Sequence, residues 1–525
     1  MKTMKRFFAS LVAVMLTTAM LVVPASADAT HSITISGASG HTFEAYQIFT
    51  GDLSGEVLSN IDWSVNGVNG SALLTALQES AYFGPAFDSC STAAQVATVL
   101  EGADWKETDT VEFAKIVAAN LGAASGSGAE SGTDYVISNL EAGYYFVKDT
   151  SVLEGANDAN SRYIIWLTSS TKVAIKKAMP TLIKKVSLTP ASGFSEAVSA
   201  GIGNTVYFSL TAKMHERVGD YSTYPLTFVD TLPAGMTYGD VEAVYVNTTK
   251  LDGISAVSSV SNTDNEYTFT VEDAKSVIAG ATGGAAVAAT DRITIVFSAT
   301  INGGADWVYG GTGNKNTAVL TYPNNPSDEN AKGKTAEADA LIYTYQMLIN
   351  KKDATTNAAL SGAQFTVSFL DDGGATKYVQ ATGSNGVYTA TGTTTDESGA
   401  TTLTTNGDGQ ITLKGLRVRE YSLAETKAPD GYNKINDAQT VTIVATINTD
   451  TGELTDLNAT RTGVNTTVNG TNKSNGTVEV TIVNHQGAVL PTTGGMGTTI
   501  FYIAGGALML GAAAILLTKK RGARG

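Results

Sequence analysis

The chain has 525 residues, of which 16% are charged, and a formal net charge of −15. That length leaves room for two to four cores, and the acidic balance leaves no basic face for nucleic acid or anionic lipid. Cys90 is the only cysteine, which excludes an internal disulfide; a small buried apolar role is expected for it rather than a nucleophilic one.

Residues 1–27 begin with Lys2, Lys5 and Arg6, continue through an apolar stretch at 7–23 and end in Ala25-Ser26-Ala27. This is the pattern of a secretory signal peptide, so the mature chain is expected to start at Asp28. Residues 28–177 form the first unit. HSITISG and HTFEAYQIFTG alternate like strands, whereas GSALLTALQESAYF, STAAQVATVLEGAD and TVEFAKIVAANLGA carry helical apolar spacing. A β-sandwich with helical insertions is expected. No lysine occurs between Asp28 and Trp105.

Pro180 marks a boundary, and 178–342 form a middle unit of period-2 segments: PTLIKKVSL, TVYFSLTAK, LTFVDTLPAGMTY, VEAVYV, EYTFTV, DRITIVFSATI and NTAVLTYP. Turns of Gly, Asn and Asp at this spacing predict an immunoglobulin-like sandwich. Residues 343–488 form a third unit of similar kind, and its Thr- and Asn-rich stretch at 456–477 reads as a surface hairpin or loop. The fold class is thus mainly β, in tandem immunoglobulin-like sandwiches. Asn448, Asp450 and Gly452 read as a hairpin turn rather than a calcium loop, so no metal is implied. The four histidines are scattered, and no phosphate loop, nucleophile elbow or H-E-x-x-H motif appears. Neither an enzyme nor a cofactor is expected.

The C-terminal segment, 489–525, combines three parts. Leu490, Pro491, Thr492, Thr493 and Gly494 come first, an apolar stretch at 498–518 follows, and 519–525 are basic through Lys519, Lys520, Arg521 and Arg524. The apolar run approaches the ~20 residues a helix needs to cross a bilayer, and the cations halt translocation. In this order the three parts resemble the cell-wall sorting signal of Gram-positive surface proteins. The resemblance implies cleavage between Thr493 and Gly494 by a transpeptidase, the sortase, and final attachment to peptidoglycan.

The middle and third units repeat one order of residues: lysine, acid, asparagine. Lys184 lies on the first strand of the middle unit, Asp230 in FVDTLPAGMTY, and Asn316 at the start of KNTAVLTY. Lys351 lies on the first strand of the third unit, Glu425 in YSLAETKAPDGY, and Asn484 ends VTIVN. Burial lowers a lysine pKa and raises a carboxyl pKa, so such a trio yields a neutral amine, a protonated acid able to donate to the carboxamide oxygen, and an amide to be attacked. Amide exchange with loss of ammonia would join the strands. A buried lysine–carboxylate pair is the alternative reading of the spacing. Lys185 and Lys352 compete for the role, and strand alternation puts only one lysine of each pair on the core face.

LAETKAPDGY and INKKDATTNAALSGAQF resemble the acidic box and opening strand of the isopeptide-forming backbone pilins of Gram-positive sortase-assembled pili. That resemblance implies Lys184–Asn316 and Lys351–Asn484 bonds with Asp230 and Glu425 catalytic, and it selects Lys184 and Lys351. It also implies polymerisation through the Thr493 carbonyl onto a lysine of an identical subunit, with companion tip and base subunits. The acceptor falls in TKVAIKKAMP, where the family's Tyr-Pro-Lys is absent and Lys177 and Lys176 stand side by side; closeness to Pro180 favours Lys177. The rival reading is a monomeric wall-anchored adhesin whose stalk is the two cross-linked units.

Overall fold

The computed structural model describes residues 30–102, 106–252, 260–263, 265–487 and 497–521. The expected signal peptide at 1–27, the motif residues Leu490, Pro491, Thr492, Thr493 and Gly494, and Arg524 lie outside the described residues.

In the first unit the strand Phe43–Ser54 buries both faces, as its period requires: Phe43 and Ala45 enter one core, Tyr46 and Ile48 another. The first core lies among the strands His31–Ser36, Asp134–Leu140 and Gly143–Asp149. Helices Gly70–Glu79, Ala93–Gly102 and Glu107–Ala119 cover the second with Leu73, Leu77, Val96 and Val117, and Cys90 is buried there. The predicted helices are found in place, the first capped by Asn69, whose Oδ1 accepts from the Ala72 amide at 3.2 Å.

The middle unit is a sandwich of a seven-stranded and a five-stranded sheet. Phe208 and Phe297 from the second meet Phe228, Phe269 and Leu320 from the first. Two features depart from the sequence reading. A helix at Ala274–Ala281, started by Asp273 accepting from the Lys275 and Ser276 amides, interrupts the strands. The expected last strand, Asn314–Pro323, is followed by Lys332–Lys334 and Ala338–Tyr343, both paired to it. Ala340 and Ile342 alternate into the core, which is why this stretch joins the sheet rather than acting only as a link.

The third unit is one eleven-stranded sheet curled around Tyr345, Met347, Ile349, Phe365, Leu413, Leu423, Val441, Val480 and Ile482. Tyr345–Asp353 runs antiparallel to Gln410–Leu416 and parallel to Thr477–Asn484, with Lys351 opposite Ile482 and Asp353 opposite Asn484. The 456–477 stretch is strand rather than loop, and its second half is one arm of a hairpin closed at Lys473–Asn475. Leu454–Thr462 pairs with Gln439–Ile447 and Thr466–Asn472 with Thr477–Asn484, because Leu454, Leu457 and Thr466 point inward.

Short, bonded joints link the units. Asn160 N donates to Asn324 O at 2.8 Å, and the buried Arg162 guanidinium donates to Pro326 O and Asp220 O. Further along, Gly310 N donates to Thr344 O and Gly311 N to Lys473 O. Gly310 has φ +58°, and a Cβ there would fall 2.4 Å from Gly476 N, so the joint requires glycine. At the C-terminus, helix Gly497–Arg521 leaves Phe501, Leu508 and Leu516 exposed, as a membrane-length apolar helix does outside a bilayer.

Candidate functional site

Alternation along Thr181–Ser187 sends Lys184 inward and leaves Lys185 near the surface, where it pairs with Glu196 at 3.1 Å. Lys351 is likewise buried while Lys352 is half-buried. Strand register therefore places Lys184 and Lys351, rather than Lys185 and Lys352, on the core faces. All six residues of the two trios are buried: Lys184 is 1% exposed, Asp230 and Asn316 0%, Lys351 0%, Glu425 4% and Asn484 1%. Burial this deep forbids isolated charges.

In the middle unit the trio spans the two sheets. Lys184 stands on the five-stranded sheet and reaches across to the seven-stranded sheet, its Nζ contacting Asp230 Oδ2, while Asn316 stands on the strand paired with that of Asp230. The rings of Phe208 and Phe297 lie 4.9 and 5.7 Å from the amine. This apolar lining pushes the lysine pKa down, against the pull of Asp230, and pushes the Asp230 carboxyl up, against the pull of Lys184. Both shifts favour the neutral pair. Asn316 lies beside the carboxyl and lowers its pKa slightly, yet neither Nδ2 nor Oδ1 meets a hydrogen-bond partner, and Asp230 Oδ1 also lacks one. Each such buried polar group costs about 1–3 kcal/mol, so the site is not arranged for maximum stability as three separate side chains.

In the third unit the trio sits on neighbouring parallel strands closed by a third. Lys351 Nζ contacts Asn484 Oδ1, donates to Ile482 O at 3.2 Å, and lies 3.7 Å from Glu425 Oε1. Burial pushes its pKa down to about 8, with Glu425 opposing. Glu425 Oε2 accepts from the Ile435 amide at 2.8 Å and from Asn484 Nδ2 at 3.1 Å. Asn484 Nδ2 also donates to Asn433 O at 2.9 Å. One expectation is corrected here. The acid does not donate to the carboxamide oxygen; it stands between the lysine nitrogen and the carboxamide nitrogen. The two groups on that nitrogen, Glu425 Oε2 and Asn433 O, are both acceptors and fix the amide's orientation. The acid is thus placed to take a proton from the attacking amine and deliver one to departing ammonia.

Lys176 and Lys177 follow the strand Thr171–Ala174, so alternation no longer separates them, and both are exposed. Lys176 donates its backbone amide to Tyr163 OH and holds its Nζ 5.6 Å from the Tyr163 ring centroid. Lys177 Nζ donates to Asp158 Oδ2 at 2.8 Å, and that oxygen lies 3.2 Å from His41 Nε2, whose Nδ1 is 2.8 Å from Asp149 Oδ2. Sequence reasoning missed His41, Asp149 and Asp158, because positions 41, 149 and 158 meet only through strand pairing between Phe43–Ser54 and Gly143–Asp149. No group of three or more metal-ligating side chains suited to an ion occurs among the described residues.

Comparisons with known proteins fit this architecture. The SpaA prealbumin-like fold domain matches residues 345–460, and the LPXTG cell wall anchor motif matches 482–523. The trypsin-resistant surface T6 protein of Streptococcus pyogenes serotype M6 is 24% identical over 424 residues, covering 69% of this chain and 72% of the relative. The solved T6 backbone pilin of the same serotype, described as a modular three-domain structure, superposes with TM-score 0.52 at 16% identity, over 88% of this chain and 100% of that one. The full-length major pilin SpaD of Corynebacterium diphtheriae gives TM-score 0.45 at 19% identity, over 87% and 98%.

Proposed function

We propose that this chain, a cell-wall-anchored backbone pilin of Gram-positive type, polymerises covalently through sortase and stiffens itself with two internal isopeptide bonds. The single observation that carries the internal bonds is the pair of buried trios, each joining an opening strand to a late one, with burial pushing the lysine amine toward its neutral form. In each, the lysine nitrogen attacks the asparagine carboxamide carbon, the acid relays a proton, and ammonia leaves. Fixed geometry supplies the effective concentration that a free amine and amide lack. The links are Lys184 to Asn316, aided by Asp230, and Lys351 to Asn484, aided by Glu425.

Polymerisation uses the Thr493 carbonyl of one subunit and a lysine of the 176–177 pair in the next, with peptidoglycan as the terminal acceptor. Intact-mass measurement of the purified chain tests the internal bonds: two ammonia equivalents should be missing, one restored by Lys184→Ala and the other by Lys351→Ala. An unreduced parent mass refutes the cross-links. Wall extracts separated in hot detergent test the polymer. A ladder supports it, whereas a single band returns the chain to the monomeric adhesin reading.

A further inference from the structure

The Lys177 amine sits at the end of a chain of groups rooted in the core of the first unit. Asp149 is 1% exposed; its Oδ1 accepts from the Ser151 amide and hydroxyl, and its Oδ2 accepts from Ser161 N. His41, also 1% exposed, is fixed by Asp149 on one ring nitrogen and lies against Phe43, with ring centroids 6.2 Å apart. Its other nitrogen meets Asp158, which is a quarter exposed and whose Oδ1 accepts from Ala159 N at 2.8 Å. The middle unit completes the support, since Asn324 Nδ2 donates to Asp158 O at 3.3 Å and to Leu153 O at 2.9 Å. A surface lysine ordinarily forfeits rotamer freedom when an active site holds it. Here Lys177 is already held, by a carboxylate whose two oxygens are bonded to Ala159 N and His41.

We propose that Asp158, braced by His41 and Asp149, is the positioning residue that presents the Lys177 amine to the acyl donor and makes Lys177, rather than Lys176, the acceptor. This rests on the reading that the subunits polymerise at this pair. The donor is a thioester at Thr493. The lysine nitrogen bonds to the Thr493 carbonyl carbon, the carbon–sulfur bond breaks, and sulfur leaves as thiolate. The ammonium sheds two protons: one neutralises the thiolate, and the other passes to water by way of Asp158 Oδ2, which touches both Lys177 Nζ and His41 Nε2. The groups facing His41 are Asp149, Asp158 and Lys177: burial and Lys177 pull the imidazole pKa down, and the two carboxylates outweigh them and raise it.

The test maps the cross-linked peptide by mass in wall extracts from cells carrying the full chain. The wild type should be joined at Lys177. Asp158→Asn should lower the Lys177-linked yield about tenfold, as expected when a reacting amine loses its fixed approach, and shift the remaining linkage toward Lys176. Asp158→Glu should restore much of the yield at Lys177. A purely structural role for Asp158 would lower both linkages together and move no site. Both internal ammonia losses and an unchanged thermal midpoint certify that the variant is folded. Should it not fold, His41→Gln, which leaves Lys177 and Asp158 in place, must give the same change of site. Asp158→Asn linked at Lys177 with undiminished yield overturns the proposal while leaving polymerisation intact, as does a wild-type link at Lys176. Absence of any wild-type ladder overturns polymerisation itself.

Discussion

Pulling on the linked chain should stretch one hairpin and nothing else of comparable length. If subunits are joined from Thr493 to Lys177, tension enters before Thr181–Ser187, crosses at Lys184 to Asn316, and leaves along the backbone toward Lys351 and Asn484. Residues 185–315 and 352–483 are bypassed. Asn316, however, lies near the start of Asn314–Pro323 and faces Ala340 across an antiparallel ladder whose last pair is Asn314 and Ile342, one residue before the strand ends at Tyr343. Force applied at 316 and 343 therefore acts at the open end of that hairpin and unzips its ladder one pair at a time. Paying out residues 317–343 at ~3.6 Å each gives about 97 Å, less about 1 nm already spanned, so a step of about 9 nm is expected. In Asn316→Ala the same unit, 181–343, is released whole, and the contour length paid out grows to about 59 nm at ~3.6 Å per residue. Single-molecule force spectroscopy on the full chain, held through residue 177 and the C-terminal end of the third unit, reads both lengths. A linked protein that never shows the ~9 nm step, or one that shows the long step without the mutation, refutes the load path.

Further outcomes follow from the same geometry. Lys185→Ala and Lys352→Ala should leave both ammonia losses in place by intact mass, because these lysines face away from the cores. Glu425→Gln should abolish the loss in the third unit while keeping the shape of the site, since an amide at that place relays no proton. In the unlinked variant Asn484→Ala, Lys351 keeps a folded pKa of about 8 against 10.5 unfolded. The unfolded chain then binds more protons between those values, so stability should rise from pH 8 to pH 10.5 by about 3 kcal/mol, read as a rising urea midpoint; a flat or falling midpoint contradicts the burial of that amine. Gly310→Ala should open the joint between the middle and third units, lowering the thermal midpoint and admitting protease near Thr344, because the added Cβ collides with the backbone of Gly476.

Much of this was legible in the chain because alternation is a strong signal. The pattern that sends Lys184 inward also sends Val186 inward, and the helices at 70–119 carry apolar residues at helical spacing. What stayed hidden was set by partners rather than by local pattern. The stretch at 456–477 is polar enough to pass for a loop, yet Leu454, Leu457 and Thr466 suffice to seat two strands at the sheet's ends. The helix Ala274–Ala281 is short, and its start depends on the single cap Asp273. The acid's contact with the carboxamide nitrogen depends on Asn433 O, a backbone group with no sequence signature. The His41 relay joins residues more than a hundred positions apart.

The two proposed cross-links would be equal as entropy devices and unequal as mechanical ones. Lys184 and Asn316 are 132 residues apart, Lys351 and Asn484 133, so each bond would remove a similar loop entropy from the unfolded chain, worth about 5 kcal/mol. Their settings differ. Lys351 and Asn484 stand on adjacent parallel strands, and Asn484 ends the last strand of its sheet, so the link leaves no strand of that unit on the load path after it. Lys184 and Asn316 stand on opposite sheets, and Asn316 precedes two further strands, so a bond between them would staple the sandwich through its core and leave a hairpin in series with the load. That hairpin also carries Asn324, whose amide holds the Asp158 loop of the first unit. Unzipping it would free the support of Lys177 only in a subunit already under load, one whose linkage is complete. In an unloaded subunit the hairpin is closed and Asp158 is held, so the proposed acceptor would stand ready for the next addition.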